Sequence, residues 1–120
     1  MSEPIRPRTI LVVEDEVLLR LAIAAHLREA GHEVVEAADA EEAVRAIGAD
    51  ASIALVFTDV NMSGALDGNA LARWIGETHP AIKLLVTSGV AIENRGTLPF
   101  IAKPYRFSEI EQLIERLLDE

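Results

Sequence analysis

Two hydrophobic periods alternate along the chain. Residues 9–14, "TILVVE", form an unbroken β-branched run of the kind a strand buried on both faces carries. "DEVLLRLAIAAHLREAGH" switches to helical spacing, with Gly31 as its C-terminal stop. "EVVEA" at 33–37 predicts a second strand, and Asp39 is placed to cap a helix over "AEEAVRAIGA". "SIALVFTD" (52–59) predicts a third strand and "DGNALARWIGETHP" a helix closed by Pro80. "IKLLVTS" (82–88) predicts a fourth strand and "LPFIAK" (98–103) a fifth. "RFSEIEQLIERLLDE" reads as an amphipathic helix with Ile110, Leu113, Ile114, Leu117 and Leu118 on one side.

This alternation predicts a single parallel sheet with helices on both faces. Between Ser88 and Leu98, "GVAIENRGT" has two glycines and no room for a full helix, so the fourth helix is expected to be short or irregular. A chain of 120 residues suits one domain, expected over 9–120. Residues 1–8, with Pro4 and Pro7, are expected to form a loose arm.

Composition narrows the function classes. Half of the residues are hydrophobic, enough for a sizeable core. No apolar run reaches the roughly 18 residues that span a membrane, and "MSEPIRPRT" lacks a secretory apolar segment, so no membrane insertion is expected. Eleven basic residues stand against 20 acidic ones, a net charge of -9, which disfavours direct nucleic-acid binding. With no cysteine there is no disulfide framework and no thiolate metal site, which fits a reducing compartment.

Candidate chemistry sits where the strands stop. In open parallel sheets, ligands bind outside the carboxyl ends of the strands. Glu14 and Asp15 follow the first strand, Asp59 ends the third, Thr87 and Ser88 the fourth, and Lys103 the fifth. With strand order 2-1-3-4-5 these groups meet at one rim. Three carboxylates that close raise each other's pKa, and a hard divalent cation relieves them. Mg²⁺ uses one or two carboxylates directly and keeps waters or phosphate oxygens. Lys103 adds a point charge for a phosphate oxygen, and Ser88 a hydroxyl. The set suits a phosphoryl group, with Asp59 as a carboxylate nucleophile. Each residue alone has a plainer account. Asp59 could be a turn residue. "EDE" could suit a helix macrodipole. Lys103 could be a solvated loop lysine, and Thr87 and Ser88 ordinary strand-end polar residues. Joint placement at four strand ends is what those accounts leave unexplained.

The pieces "ILVVEDE", "TDVNMSGALDG", "LLVTSG" and "AKPY", in this order, resemble the receiver domains of two-component response regulators over residues 8 to 119. The resemblance implies a flavodoxin-like, doubly wound five-stranded sheet. It also implies phosphorylation on aspartate by a histidine kinase with Mg²⁺. It makes Asp59 the phosphoacceptor, Glu14 and Asp15 the acidic pair with Asp15 the direct ligand, and the Asn61 carbonyl a third ligand. Ser88 matches the switch hydroxyl, with Thr87 as the alternative, and Phe100 the rotating aromatic. Lys103 matches the lysine, with a cis Lys103–Pro104 bond. Asn61 and Val90 would border the water that hydrolyses the acyl phosphate. Such a domain is a signalling phosphoacceptor that catalyses its own phosphotransfer and slow dephosphorylation, in the bacterial cytoplasm. Three departures stand out: Ser63 replaces a usual proline, "GALDG" is long, and 89–98 is short for a helix.

No output domain is expected after the last helix. The partners are then a sensor histidine kinase or histidine phosphotransfer protein, and an unidentified protein target. The first helix has a core stripe near Leu19, Ile23, Leu27 and Ala30, and Val17, Leu18, Leu21 and Ala25 on an adjoining arc. The wide arc is either extra core and scattered aliphatics or a docking patch for a helical phosphotransfer domain, with Leu18 and Leu21 at its centre. Two other readings of the receiver are open: a phosphorylation-independent binding module, and a phosphate shuttle or sink. A hydrolase of the haloacid dehalogenase type wants a second aspartate where Asn61 stands. A flavodoxin-like ligand binder wants a phosphate-cradling loop after strand one.

Overall fold

The computed structural model describes residues 8–60, 68–88 and 98–120. Five strands form one parallel sheet: β1 (Thr9–Val13), β2 (Glu33–Ala37), β3 (Ile53–Asp59), β4 (Lys83–Ser88) and β5 (Phe100–Ala102). Their order is β2-β1-β3-β4-β5, as the alternation predicts. The described helices are α1 (Val17–Glu29), α2 (Ala40–Ala49), α3 (Gly68–Thr78) and α4 (Phe107–Leu118). The short fourth helix expected between β4 and β5 lies outside the described residues, and so do residues 1–7 of the expected arm. Arg8, the last residue of that arm, is tied down: its carbonyl accepts from the Glu33 N–H at 3.3 Å, and its side chain pairs with Asp119 at 3.6 Å.

Alternation along the strands builds two cores. Ile10, Val12, Leu55, Phe57 and Leu85 point to one face, where Ile23 and Leu27 of α1 and Ile110, Ile114 and Leu117 of α4 cover them. Leu11, Val13, Val56 and Val86 point to the other, under Ala43 and Ile47 of α2 and Leu71 and Ile75 of α3. Burial of each such aliphatic side chain contributes about 1.5–3 kcal/mol.

The helix ends follow their local chemistry. Gly31 takes φ 101°, and its N–H and that of His32 return to the Arg28 and Leu27 carbonyls, which closes α1. The Asp39 carboxylate accepts the Glu42 N–H at 2.8 Å, and Glu42 accepts the Ala38 N–H at 2.7 Å. The strands are shorter than the apolar runs. Glu14 falls just past β1, and Leu98, Pro99 and Lys103 fall outside β5. Ala30, expected in the core stripe, is exposed because it caps α1 beyond the packed turns.

Candidate phosphoacceptor site

The carboxyl ends of β1, β3, β4 and β5 converge on one rim. Asp59 and Glu14 are buried there, 4% and 3% exposed, while Asp15 is exposed beside them. Lys103 Nζ forms a close ion pair with Asp59 Oδ2 and stands 3.8 Å from Glu14 Oε1. Strands β3 and β4 place Asp59 directly opposite Thr87. The Val60 N–H donates to the Thr87 carbonyl at 3.0 Å, and the Lys103 N–H to the Ser88 carbonyl at 3.1 Å. These two bonds lock the rim of three strands together. The Lys103–Pro104 peptide is cis.

Strand parity sorts the two hydroxyls that the sequence leaves open. Asp59 and Thr87 share parity with Phe57 and Leu85, which face α1 and α4, and Glu14 shares it with Val12. Ser88 shares parity with Val86 and Phe100, which pack on the α2–α3 side. Thr87 therefore stands on the face of Asp59, and Ser88 on the face of Phe100. The Thr87 hydroxyl is buried without a hydrogen-bond partner among the described residues.

Electrostatics bind the rim into one unit. Burial pushes the Glu14 carboxyl above its ordinary value, against a hydrogen bond from the Glu16 N–H, with Asp15 and Asp59 adding to the rise and Lys103 opposing it. Burial pulls the Lys103 ammonium down. The Asp59 hydrogen bond and the charges of Asp59, Glu14 and Asp15 outweigh this and raise it. One lysine thus faces three carboxylates, and the Glu14 carboxylate is still disfavoured as an anion.

This donor set fits a hard divalent cation. Every side-chain ligand is oxygen, and the local charge is left negative. Among the described residues no three acidic or histidine side chains form a complete metal cage. Mg²⁺ takes one or two carboxylates directly and completes its shell with carbonyl and water oxygens. Asn61, whose carbonyl is the expected third ligand, and Val90 lie outside the described residues.

Other expected residues fall as follows. Phe100 opens β5, half-buried against the α2–α3 core. Leu18 and Leu21 are 78% and 48% exposed, with Val17 at 53% beside them, so the wide arc of α1 is surface and not extra core. Tyr105 was given no role by its position in "AKPY". Its ring packs edge-on to Phe57, and its hydroxyl is buried without a partner among the described residues. Burial first, then the charges of Glu14, Asp59 and Glu16, push its pKa up to about 12.

The class so defined is an open, doubly wound α/β sheet with an acid–lysine cluster at its carboxyl edge. The family model described as "Response regulator receiver domain" matches residues 10–115, and the chain belongs to that family. It is a phosphoacceptor signalling domain of two-component systems. The chain is 32% identical over 118 residues to the nitrogen assimilation regulatory protein NtrX of Azorhizobium caulinodans, covering 92% of this chain and 26% of that one. It is 32% identical over 122 residues to the sensor kinase CckA of Brucella abortus, covering 93% and 13%. It therefore spans about a quarter or less of the length of these curated relatives. Among solved structures, the receiver domain of NtrX from Brucella abortus superposes with a TM-score of 0.81 at 36% identity, over 92% of this chain and 98% of that one. A response regulator receiver protein from Sinorhizobium medicae gives 0.85 at 25% identity, over 94% and 95%. Among the described residues, no helix is long and apolar enough to cross a membrane.

Proposed function

We propose that Asp59 is the phosphoacceptor, and that residues 9–120 act as one receiver unit in a bacterial cytoplasm. The observation that carries this is the buried Asp59 carboxylate at the end of β3, ion-paired to Lys103 and flanked by Glu14. The donor is a phosphohistidine on a sensor kinase or a histidine phosphotransfer protein. An Asp59 carboxylate oxygen attacks phosphorus in line, the P–N bond breaks as the P–O bond forms, and the imidazole nitrogen leaves with the electron pair. Lys103 shifts from the unphosphorylated carboxylate to the incoming phosphoryl oxygen and holds its charge. Asp15, Asp59 and the Asn61 carbonyl would hold Mg²⁺, with Glu14 behind a metal-bound water. The cation supplies charge neutralisation at the phosphoryl oxygens. The protein's own contribution is mainly positioning and electrostatics.

The phosphoryl group then draws a hydroxyl at the end of β4 inward, either Ser88, which the resemblance matches, or Thr87, which strand parity puts on the Asp59 face, and Phe100 turns into the vacated space. Asn61 and Val90 tune the slow hydrolysis that the site itself catalyses. Leu18 and Leu21 form the docking patch for the helical phosphodonor. They lie at the start of α1, a few residues from the acidic pair, and their exposure supports this role. An unidentified protein receives the signal.

Site mapping tests the reading. After incubation with phosphoramidate and Mg²⁺, borohydride trapping and peptide mass analysis should place the modification on Asp59. A label on another residue, with Asp59 unmodified, would sink the assignment.

A further inference from the structure

Glu14 is held on every side. Its N–H donates to the Ala37 carbonyl at 3.0 Å, and its Oε2 accepts the Glu16 N–H at 3.1 Å. The ladders of β1 end at Val13, opposite Ala37 and Thr58, so the Glu14 carbonyl lies beyond the paired region. Arg20 takes it: Nη1 donates to that carbonyl at 2.9 Å. The same guanidinium donates through Nε to Glu36 Oε1 at 3.4 Å. Glu36 is in turn held by Arg28, whose Nη2 reaches Glu36 Oε2 at 3.3 Å and the Val34 carbonyl at 2.9 Å. The Arg20 and Glu36 side chains are 15% and 22% exposed, so their pairing is screened less than a surface ion pair.

The two arginines differ in one respect. Both tie α1 to β2 through Glu36. Only Arg20 also grips the backbone of a residue in the acidic rim, and that backbone leads straight into Asp15. A planar guanidinium carries five donors in a rigid fork, so it holds a carbonyl and a carboxylate at once in a fixed geometry that a rotating ammonium does not impose. Groups one step behind a metal ligand orient it, and their loss typically costs about 10–100-fold in metal affinity.

We propose that Arg20 is a positioning residue for the cation site: by fixing the Glu14 carbonyl it sets where the Glu14 and Asp15 carboxylates stand, and so sets the affinity for Mg²⁺. The inference rests on the proposed cation site. Glu36 holds the guanidinium in the conformation that does this through Oε1, while Arg28 pairs with Oε2 and the Val34 carbonyl and reaches no rim residue.

The test is a calorimetric Mg²⁺ titration of the full chain without phosphodonor, together with phosphoramidate labelling rates across Mg²⁺ concentrations. Arg20→Ala should weaken Mg²⁺ binding about 10-fold or more. Its labelling rate should return near wild type at saturating Mg²⁺. Arg20→Lys should fall between the two, and it keeps the test available if Arg20→Ala does not fold. Arg28→Ala removes a similar tie between α1 and β2 without touching Glu14, and should stay within about twofold of wild type, well below the loss of an outer-shell group. Arg20 variants that bind Mg²⁺ like wild type would overturn the proposal. So would an Arg28→Ala loss as large as that of Arg20→Ala, since Arg20 would then be an ordinary helix-to-strand tie. A wild-type chain that binds no Mg²⁺ would overturn the cation site itself, and the wild-type titration alone separates that outcome from the other two.

Discussion

Gly68 opens α3 against the backbone that carries Asp59. A Cβ built there would lie 3.0 Å from the Asp59 carbonyl carbon, and closer still to the Asp59 carbonyl oxygen and the Val60 Cα. These neighbours are main-chain atoms, so no side chain can swing aside. Gly68→Ala must push the start of α3 away from the 59–60 peptide, or push that peptide toward β4, by something on the order of an ångström. Overpacking of this kind costs about 1–3 kcal/mol. At roughly 4 °C per kcal/mol for a domain of this size, the melting temperature should fall by about 4–12 °C. A displacement of about 1 Å at a reacting group can cost on the order of 100-fold in rate, so labelling of Asp59 by phosphoramidate should slow far more than the loss of stability explains. Two other glycines provide internal controls. Gly48 in α2 and Gly76 in α3 have nothing within 4 Å of a built Cβ. Gly48→Ala and Gly76→Ala should each stabilise the fold by roughly 0.5–1 kcal/mol and leave labelling unchanged. Thermal melts and timed intact-mass labelling read all three variants. A Gly68→Ala protein that melts and labels like wild type would refute the claim that the contact between Gly68 and the 59–60 peptide sets the position of Asp59.

Other predictions concern charge, docking and capping. The Glu14 carboxyl sits above its ordinary value of 4.5, so its stabilising contribution is fully present below about that pH and is lost as pH rises through the raised folded value. Glu14→Gln should therefore raise the melting temperature in chelator at neutral pH, with the gain fading below pH 4.5, while it weakens Mg²⁺ binding; melts across pH with and without Mg²⁺ would show both effects. Leu18→Glu and Leu21→Glu change exposed side chains, so stability should move by no more than about 0.5 kcal/mol. They should slow transfer from a histidine phosphotransfer protein and spare labelling by phosphoramidate; equal loss in both assays would count against the docking role. Asp39→Ala removes the carboxylate that accepts the Glu42 N–H, and denaturant unfolding should report a loss of about 1 kcal/mol.

Much of this arrangement is legible in the residue pattern, because period and capping are local. The two-residue alternation in "TILVV" assigns Ile10 and Val12 to one core and Leu11 and Val13 to the other, as found. Asp39 and Glu42 mark the start of α2 within a few residues of each other. What escapes the pattern depends on register or on convergence through space. Arg20 meets Glu14 and Glu36 only because α1 packs back across the β1–β2 edge, and residue spacing does not encode that angle. The run "LPFIAK" overstates β5, because an edge strand pairs on one side only and its ladder covers Phe100–Ala102. The width of the apolar arc on α1 was visible. Whether Leu18 and Leu21 face core or solvent depends on how α1 packs on the sheet, and both are exposed. The division of Thr87 from Ser88 was within reach of alternation from Leu85, since successive residues of a strand face opposite sides.

The central claim is that Asp59 accepts a phosphoryl group with the help of a divalent cation. Intact-mass analysis of wild type and Asp59→Asn, each incubated with a small phosphodonor with and without Mg²⁺, tests it most directly. Wild type should gain one phosphoryl group only when Mg²⁺ is present, and Asp59→Asn none. A folded wild-type protein that gains nothing, or an Asp59→Asn protein labelled equally well, would contradict it.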